Sequence, residues 1–206
     1  MQPFTRLEAR ACPLGLANVD TDQLIPARFM SRPRTAGYGT FLLHDLRFGP
    51  DGAPVPGFVL DDPRRAGARI LVARRNFGTG SSREAAVYAL VDYGIACVIA
   101  PSFGDIFASN AVKNGLLPAT VTEDDAESLL AAIEAEPETP VCVDLTAQTI
   151  AAGDRAIAFA IDPVRRLQLL NGWDDIDLTL RHAAEIAAFA RTRRTEAPWI
   201  VPGHGG

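Results

Sequence analysis

The stretch from residue 69 to 94, RILVARRNFGTGSSREAAVYALVDYG, constrains the fold more than any other part of the chain. Residues 70–73 (ILVA) are an apolar run suited to a strand, and NFGTG at 76–80 is a glycine-punctuated turn. SSRE at 81–84 then opens an alanine- and valine-rich segment that Gly94 closes. Serine suits an N-cap, glutamate a first turn, and glycine the position after a helix end, so the expectation is strand, tight turn, helix. The alternation continues downstream. Residues 95–100 (IACVIA) read as a buried strand, 105–114 as a helix ended by Gly115, 116–121 as a strand, and 123–136 as a helix capped by Thr122. Strand and helix in succession imply a parallel α/β unit.

The turn at 76–84 gathers chemistry. Ser81, Ser82 and Arg83 stand where a helix directs its unpaired N–H groups, an arrangement that favours anions. Donors aimed at a serine oxygen favour its ionised form. The guanidinium of Arg83 is a planar fork suited to a carboxylate. Together they suggest removal of a proton beside a carboxylate, with Ser81 as base and Arg83 as anchor. Read blandly, the same residues are only a capped turn. Asp22, in NVDTDQLIP, is either part of a backbone-bonded turn or a fixed carboxylate facing a site. Residues 31–63 are rich in glycine and proline, and a segment so long without pattern is often functional. Within it, GYGTFLLHDLRF either forms a short surface helix or covers a substrate with an apolar end and a carboxylate, which Arg47 would meet.

The remaining segments fit around this unit. Residues 1–17 read as a lead-in strand, and 141–161 as a meander of short strands with a hairpin at Ala152-Gly153-Asp154. A helix runs from Asp162-Pro163 to Asn171-Gly172, and a last one lies within 177–194, with Ile176, Leu178, Leu180, Ile186 and Phe189 as its apolar contacts. The expected organisation is one domain, 1–194, and a flexible tail, 195–206. A net charge of −5 supplies no general field for nucleic acid, and no apolar run approaches the roughly 20 residues of a membrane helix. The first residues lack the apolar core of a signal peptide, so the chain reads as cytoplasmic. Cys12, Cys97 and Cys142 are too scattered for a disulfide framework or for metal or cluster ligation by this chain alone, and His44, His182 and His204 show no ligand spacing.

The blocks NVDTDQLIP, GYGTFLLHDLRF, NFGTGSSRE, VIAPSFGDIFASNAVKNGLLP and NGWDDIDLTLRH, in that order, closely resemble the small subunits of bacterial 3-isopropylmalate dehydratases, of the aconitase superfamily. The resemblance spans about residues 17–182. It implies an aconitase-like swivelling domain with β/β/α layers, a mostly parallel core sheet and a small meander. It also implies a separate large subunit that bears a 4Fe-4S cluster, whose iron acts as a Lewis acid on the substrate hydroxyl. The implied reaction interconverts 2- and 3-isopropylmalate, in leucine biosynthesis, through an unsaturated diacid. By position, Ser81 matches the catalytic base, Ser82 its support, and Arg83 a binder of substrate carboxylate. Asp22 matches an aspartate that pairs with a histidine of the cluster-bearing part, and Arg47, more loosely, a contact tied to substrate choice.

The chain departs from the family pattern at Thr79 (usually cysteine), Ala85 (histidine), Leu46 (tryptophan) and Asp177 (glycine). None touches Ser81, Ser82 or Arg83, so the departures bear on the substrate rather than the chemistry. Alternatives are a paralogue acting on citraconate, methylmalate, dimethylmaleate or homoaconitate, and a non-catalytic assembly protein. A dinucleotide-binding module fails because Arg83 stands where GxGxxG needs its third glycine.

Overall fold

In the computed structural model, which describes residues 1–200, the amino-terminal segment forms two strands rather than one. These are β1 (Arg6–Ala9) and β2 (Ala11–Pro13), and Arg10 carries the chain from one sheet to the other. β2 begins a parallel sheet with β3 (Ile70–Val72), β4 (Cys97–Ala100) and β5 (Leu117–Thr120), in that order. β1 begins an antiparallel sheet with β6 (Val141–Asp144), β7 (Thr149–Ala152) and β8 (Arg155–Ala158). Gly153-Asp154 makes the expected two-residue hairpin, with Gly153 at φ +56°.

Two single-turn helices, α1 (Thr21–Leu24) and α2 (His44–Arg47), precede four longer ones. Those are α3 (Glu84–Tyr93), α4 (Asp105–Lys113), α5 (Glu123–Ala135) and α6 (Pro163–Asn171). Their ends follow local chemistry. Thr122 accepts the Asp125 N–H, Asp162 accepts those of Val164 and Arg165 ahead of Pro163, and Gly94 and Gly172 close α3 and α6 in left-handed conformation.

The parallel sheet is covered on both faces, which is why its strands are continuous apolar runs. Leu71, Val98 and Ala100 pack with Ala86, Val87 and Leu90 of α3. The alternate residues Ile70, Val72, Cys97 and Ile99 pack with Leu129, Leu130 and Ile133 of α5 and with Val141, Val143 and Ile150 of the antiparallel sheet. One face of the parallel sheet thus carries the antiparallel sheet together with α5, and the other face carries α3. Each buried leucine, isoleucine or valine among them contributes roughly 1.5–3 kcal/mol. The loop leaving β3 toward α3 thus stands on a buried core.

Within residues 31–63, the pieces 37–48 and 58–60 are largely packed, whereas 31–36 and 50–57 are exposed. Short 3-10 turns at Arg34–Ala36, Tyr38–Phe41, Val59–Asp61 and Pro63–Arg65 alternate with α2, and Tyr38, Leu42, Leu43 and Leu60 are buried. The segment crosses the carboxyl-terminal end of α3. A Cβ on Gly39 would lie 2.6 Å from the Tyr93 nitrogen, the Tyr93 hydroxyl donates to the Leu60 carbonyl at 2.8 Å, and Arg34 forks onto Asp92.

Contacts among the described residues group Met1–Gly172 as one unit and the residues from Trp173 as a second. The last helix is also two: α7 (Asp175–Leu180) and α8 (Ala183–Glu196). Asp174 and Asp177 form a reciprocal capping box at the start of α7. Neither helix has a buried residue, and Ile176, Leu180, Ile186 and Phe189 are exposed rather than packed. The expected tail begins inside α8, Pro198–Ile200 form a 3-10 turn, and 201–206 lie outside the described residues.

Candidate active site

Backbone pairing between three distant segments builds the site. Past β3, the Phe77 N–H donates to the Ser102 carbonyl at 3.0 Å, and the Gly104 N–H donates back to the Phe77 carbonyl at 2.9 Å. On the other side the Gly78 N–H donates to Val19 at 2.7 Å, and the Thr21 N–H to Thr79 at 2.9 Å. Residues 76–80 therefore run between 18–21 and 102–104 like an extra irregular strand. Asn76, at φ +60°, donates its side-chain amide to Asn18 Oδ1 at 2.8 Å and accepts the Ser102 hydroxyl at 3.1 Å, holding both neighbours. Phe77 is fully buried, edge-on to Phe107 with centroids 5.3 Å apart.

Beyond Gly80 the expected local chemistry changes. Helix α3 starts at Glu84, with Arg83 as an N-cap of extended backbone and no side-chain cap. The serines do not cap it. Both are exposed, and neither hydroxyl has a hydrogen-bond partner among the described residues. Ser81 lies two residues ahead of the N-cap, so the helix does not aim its amides at the serine oxygen as expected.

Asp20, Thr21 and Asp22 divide their work. Asp20 is structural: its carboxylate accepts the Gln23 N–H at 2.7 Å while Gln23 Oε1 accepts the Asp20 N–H at 2.9 Å, a full capping box for α1. Thr21 is buried and turns its hydroxyl to the Ser81 carbonyl at 2.9 Å. Asp22 projects outward, and its Oδ1 accepts from Arg83 Nη1. Four sequence-derived candidates are thus brought near one another, Asp22 on α1 and Ser81, Ser82 and Arg83 on the segment leading into α3.

Arg47 does not join them. Its guanidinium is buried, forks onto Asp61 at 3.1 and 2.5 Å, reaches the Leu42 carbonyl at 3.4 Å and lies over the Tyr93 ring at 5.4 Å. Tyr93 ends the ten-residue helix that Arg83 begins, so about 15 Å of α3 separates the two arginines. Arg47→Met should lower the stability of the chain by about 1–3 kcal/mol, because it strands Asp61 beside an apolar layer. Asp61 is a third exposed, which keeps the loss below that of a fully buried pair. Thermal unfolding measures this.

No three histidine, cysteine, aspartate or glutamate side chains converge as a metal site among the described residues. Burial pushes the Cys12 thiol up to about 12, against the pull of Arg65, and raises that of Cys97 further, so both are neutral core residues. Cys142 lies away from them on β6. The described residues therefore do not fit an iron–sulfur cluster. No helix among them is long and apolar enough to cross a membrane.

The aconitase C-terminal domain family model matches residues 1–124, which with the paired sheets and the loop at 76–84 places the chain in that family. More narrowly, the chain belongs to the family of 3-isopropylmalate dehydratase small subunits, whose members are parts of a hydro-lyase. It is 50% identical over 202 residues to the 3-isopropylmalate dehydratase small subunit of Rhodospirillum centenum, covering 98% of this chain and all of that one. It is 46% identical to that of Paramagnetospirillum magneticum, covering 97% and all. The family model for the C-terminal domain of 3-isopropylmalate dehydratase small subunits matches residues 175–202. A crystal structure of 3-isopropylmalate dehydratase (leuD) from Methanocaldococcus jannaschii superposes with a TM-score of 0.63 at 26% identity, covering 89% of this chain and 99% of that one.

Proposed function

We propose that this chain is the small subunit of a 3-isopropylmalate dehydratase that interconverts 2- and 3-isopropylmalate in leucine biosynthesis. The site is completed by assembly with a large subunit, to which the 4Fe-4S cluster belongs. Ser81, as alkoxide, takes the proton from a carbon beside a carboxylate, and the electron pair left behind forms the carbon–carbon double bond as hydroxyl departs from the neighbouring carbon. Hydroxide then adds to the carbon that lost the proton, and Ser81 returns its proton to the carbon that lost the hydroxyl. Arg83 holds a substrate carboxylate with its fork, and its charge two residues away favours the Ser81 alkoxide. Ser82 supports the base, and Asp22 pairs with a histidine of the partner. In the isolated chain Asp22 and Arg83 neutralise each other, so assembly and substrate binding exchange this ion pair for two new ones.

The observation that carries the reading is the pairing of Arg83 with Asp22 of α1, the helix whose Thr21 holds the Ser81 carbonyl, in a chain that matches the whole length of the Rhodospirillum centenum relative. The two serine hydroxyls and the solvent-facing Asp22 have little structural work, which argues against a role in assembly alone. The test is anaerobic turnover by this chain with its cognate large subunit, reconstituted with iron and sulfide. Isopropylmalate should be preferred over citraconate and homocitrate, and neither chain alone should turn it over. Turnover of another diacid only would move the substrate, and full activity of either chain alone would defeat the proposal.

A further inference from the structure

Thr21, between two aspartates, absorbs no role in the chemistry above. It is 2% exposed, and it holds the segment carrying the base at two points. Its N–H donates to the Thr79 carbonyl at 2.9 Å, and its hydroxyl donates to the Ser81 carbonyl at 2.9 Å. Gly80 lies between these points at φ +94°, in a conformation only glycine adopts freely, and a Cβ there would sit 3.6 Å from Thr21 Oγ1. Among the described residues, no other hydrogen bond reaches the backbone of 80, 81 or 82. The stretch before α3 therefore hangs from a single side-chain hydroxyl, which sits on the same helix as Asp22.

We propose that Thr21 is a positioning residue, setting where Ser81 stands relative to Asp22 and Arg83. This rests on the reading of Ser81 as the base. The reasoning is geometric. Gly80 is permissive, so without the hydroxyl the peptide after it is free to rotate, and Ser81 is the first side chain displaced. Ser81 is exposed, so its carbonyl takes a water when Thr21 withdraws, and the fold loses little. Proton transfer is far less forgiving, because a misplacement of about 1 Å costs on the order of 100-fold in rate. The effect therefore falls on turnover and not on folding.

The experiment compares Thr21→Val, Thr21→Ser and Ser81→Ala, each assembled with the large subunit. Valine keeps the shape and removes the hydroxyl, whereas serine keeps the hydroxyl. For Thr21→Val the expected result is a kcat lower by about 10- to 100-fold, with KM within about threefold and melting temperature and assembly unchanged. Thr21→Ser should restore most of kcat, which a purely structural role for the methyl group would not allow. Wild-type kcat in Thr21→Val, while Ser81→Ala is inactive, would overturn the positioning role and leave the base intact. Full activity in Ser81→Ala would remove the premise instead.

Discussion

Ser81→Ala should lower kcat of the assembled enzyme by about 10²–10⁴-fold while leaving KM within a few fold. On the proposed roles the loss is confined to turnover because the binding group is separate: Arg83 is the N-cap of a helix anchored on the core, and its position does not depend on the serine hydroxyl. Ser81 is exposed and its hydroxyl bonds to no described residue, so alanine leaves no unsatisfied partner and stability should change by less than about 0.5 kcal/mol. On the proposed roles Ser82→Ala should cost less, since its hydroxyl would act through the base. Steady-state kinetics with thermal unfolding on the same preparations separate the two quantities. A fall in melting temperature matching the fall in rate would mean that Ser81 serves the fold.

The second large effect belongs to Gly78→Ala. Gly78 has φ +73°, and a Cβ there would lie 2.2 Å from Phe107 Cγ and 2.6–2.7 Å from two further Phe107 atoms. The Phe107 ring cannot retreat, because it is buried and packed on Phe77 and Phe103. Left-handed backbone costs alanine about 1–2 kcal/mol, and overpacking adds about 1–3. The expected result is a destabilisation of about 2–5 kcal/mol and loss of most activity, as the loop moves away from Val19 and Thr21. Gly67→Ala is the control. Its φ is +76° with nothing within 4 Å of the added carbon, so it bears the backbone cost alone. Equal destabilisation of the two variants, read from urea midpoints, would show that Phe107 does not enforce the loop.

Much of the fold was legible because its signals are local. Thr122, Asp162-Pro163, Gly94 and Gly172 fix helix ends within a few residues of themselves, and the apolar runs at 70–73 and 95–100 declare strands buried on both faces. What was not legible depends on partners far along the chain. Ser81 looks like an N-cap in sequence, yet the helix starts at Glu84 because residues 77–79 are held in an irregular strand by 19–21 and 102–104. The break at Arg10 is equally non-local, since it follows from β1 pairing with β6 and β2 with β3.

The same distinction applies to the site. Ser81, Ser82, Arg83 and Asp22 were named from residue type and family position, and the fold brings them near one another. Arg47 was named the same way and lies at the other end of α3, its charge spent on Asp61. Its partner stands fourteen residues downstream in a segment without periodic pattern, so no spacing announced it. Thr21 was missed because a threonine between two aspartates reads as turn chemistry. Its role appears only when a carbonyl sixty residues away is in place.

The dehydration half-reaction measures the central claim most directly. 3-Isopropylmalate is mixed with the assembled enzyme, and the conjugated double bond of the unsaturated diacid is followed by its ultraviolet absorbance. Wild-type and Ser81→Ala chains are each shown by sedimentation to be fully bound to the large subunit. The expected result is rapid formation of the olefin by the wild-type complex and formation at least about 100-fold slower by Ser81→Ala, with substrate affinity retained. Equal rates in two fully assembled complexes would contradict the assignment of Ser81 as the group that removes the proton.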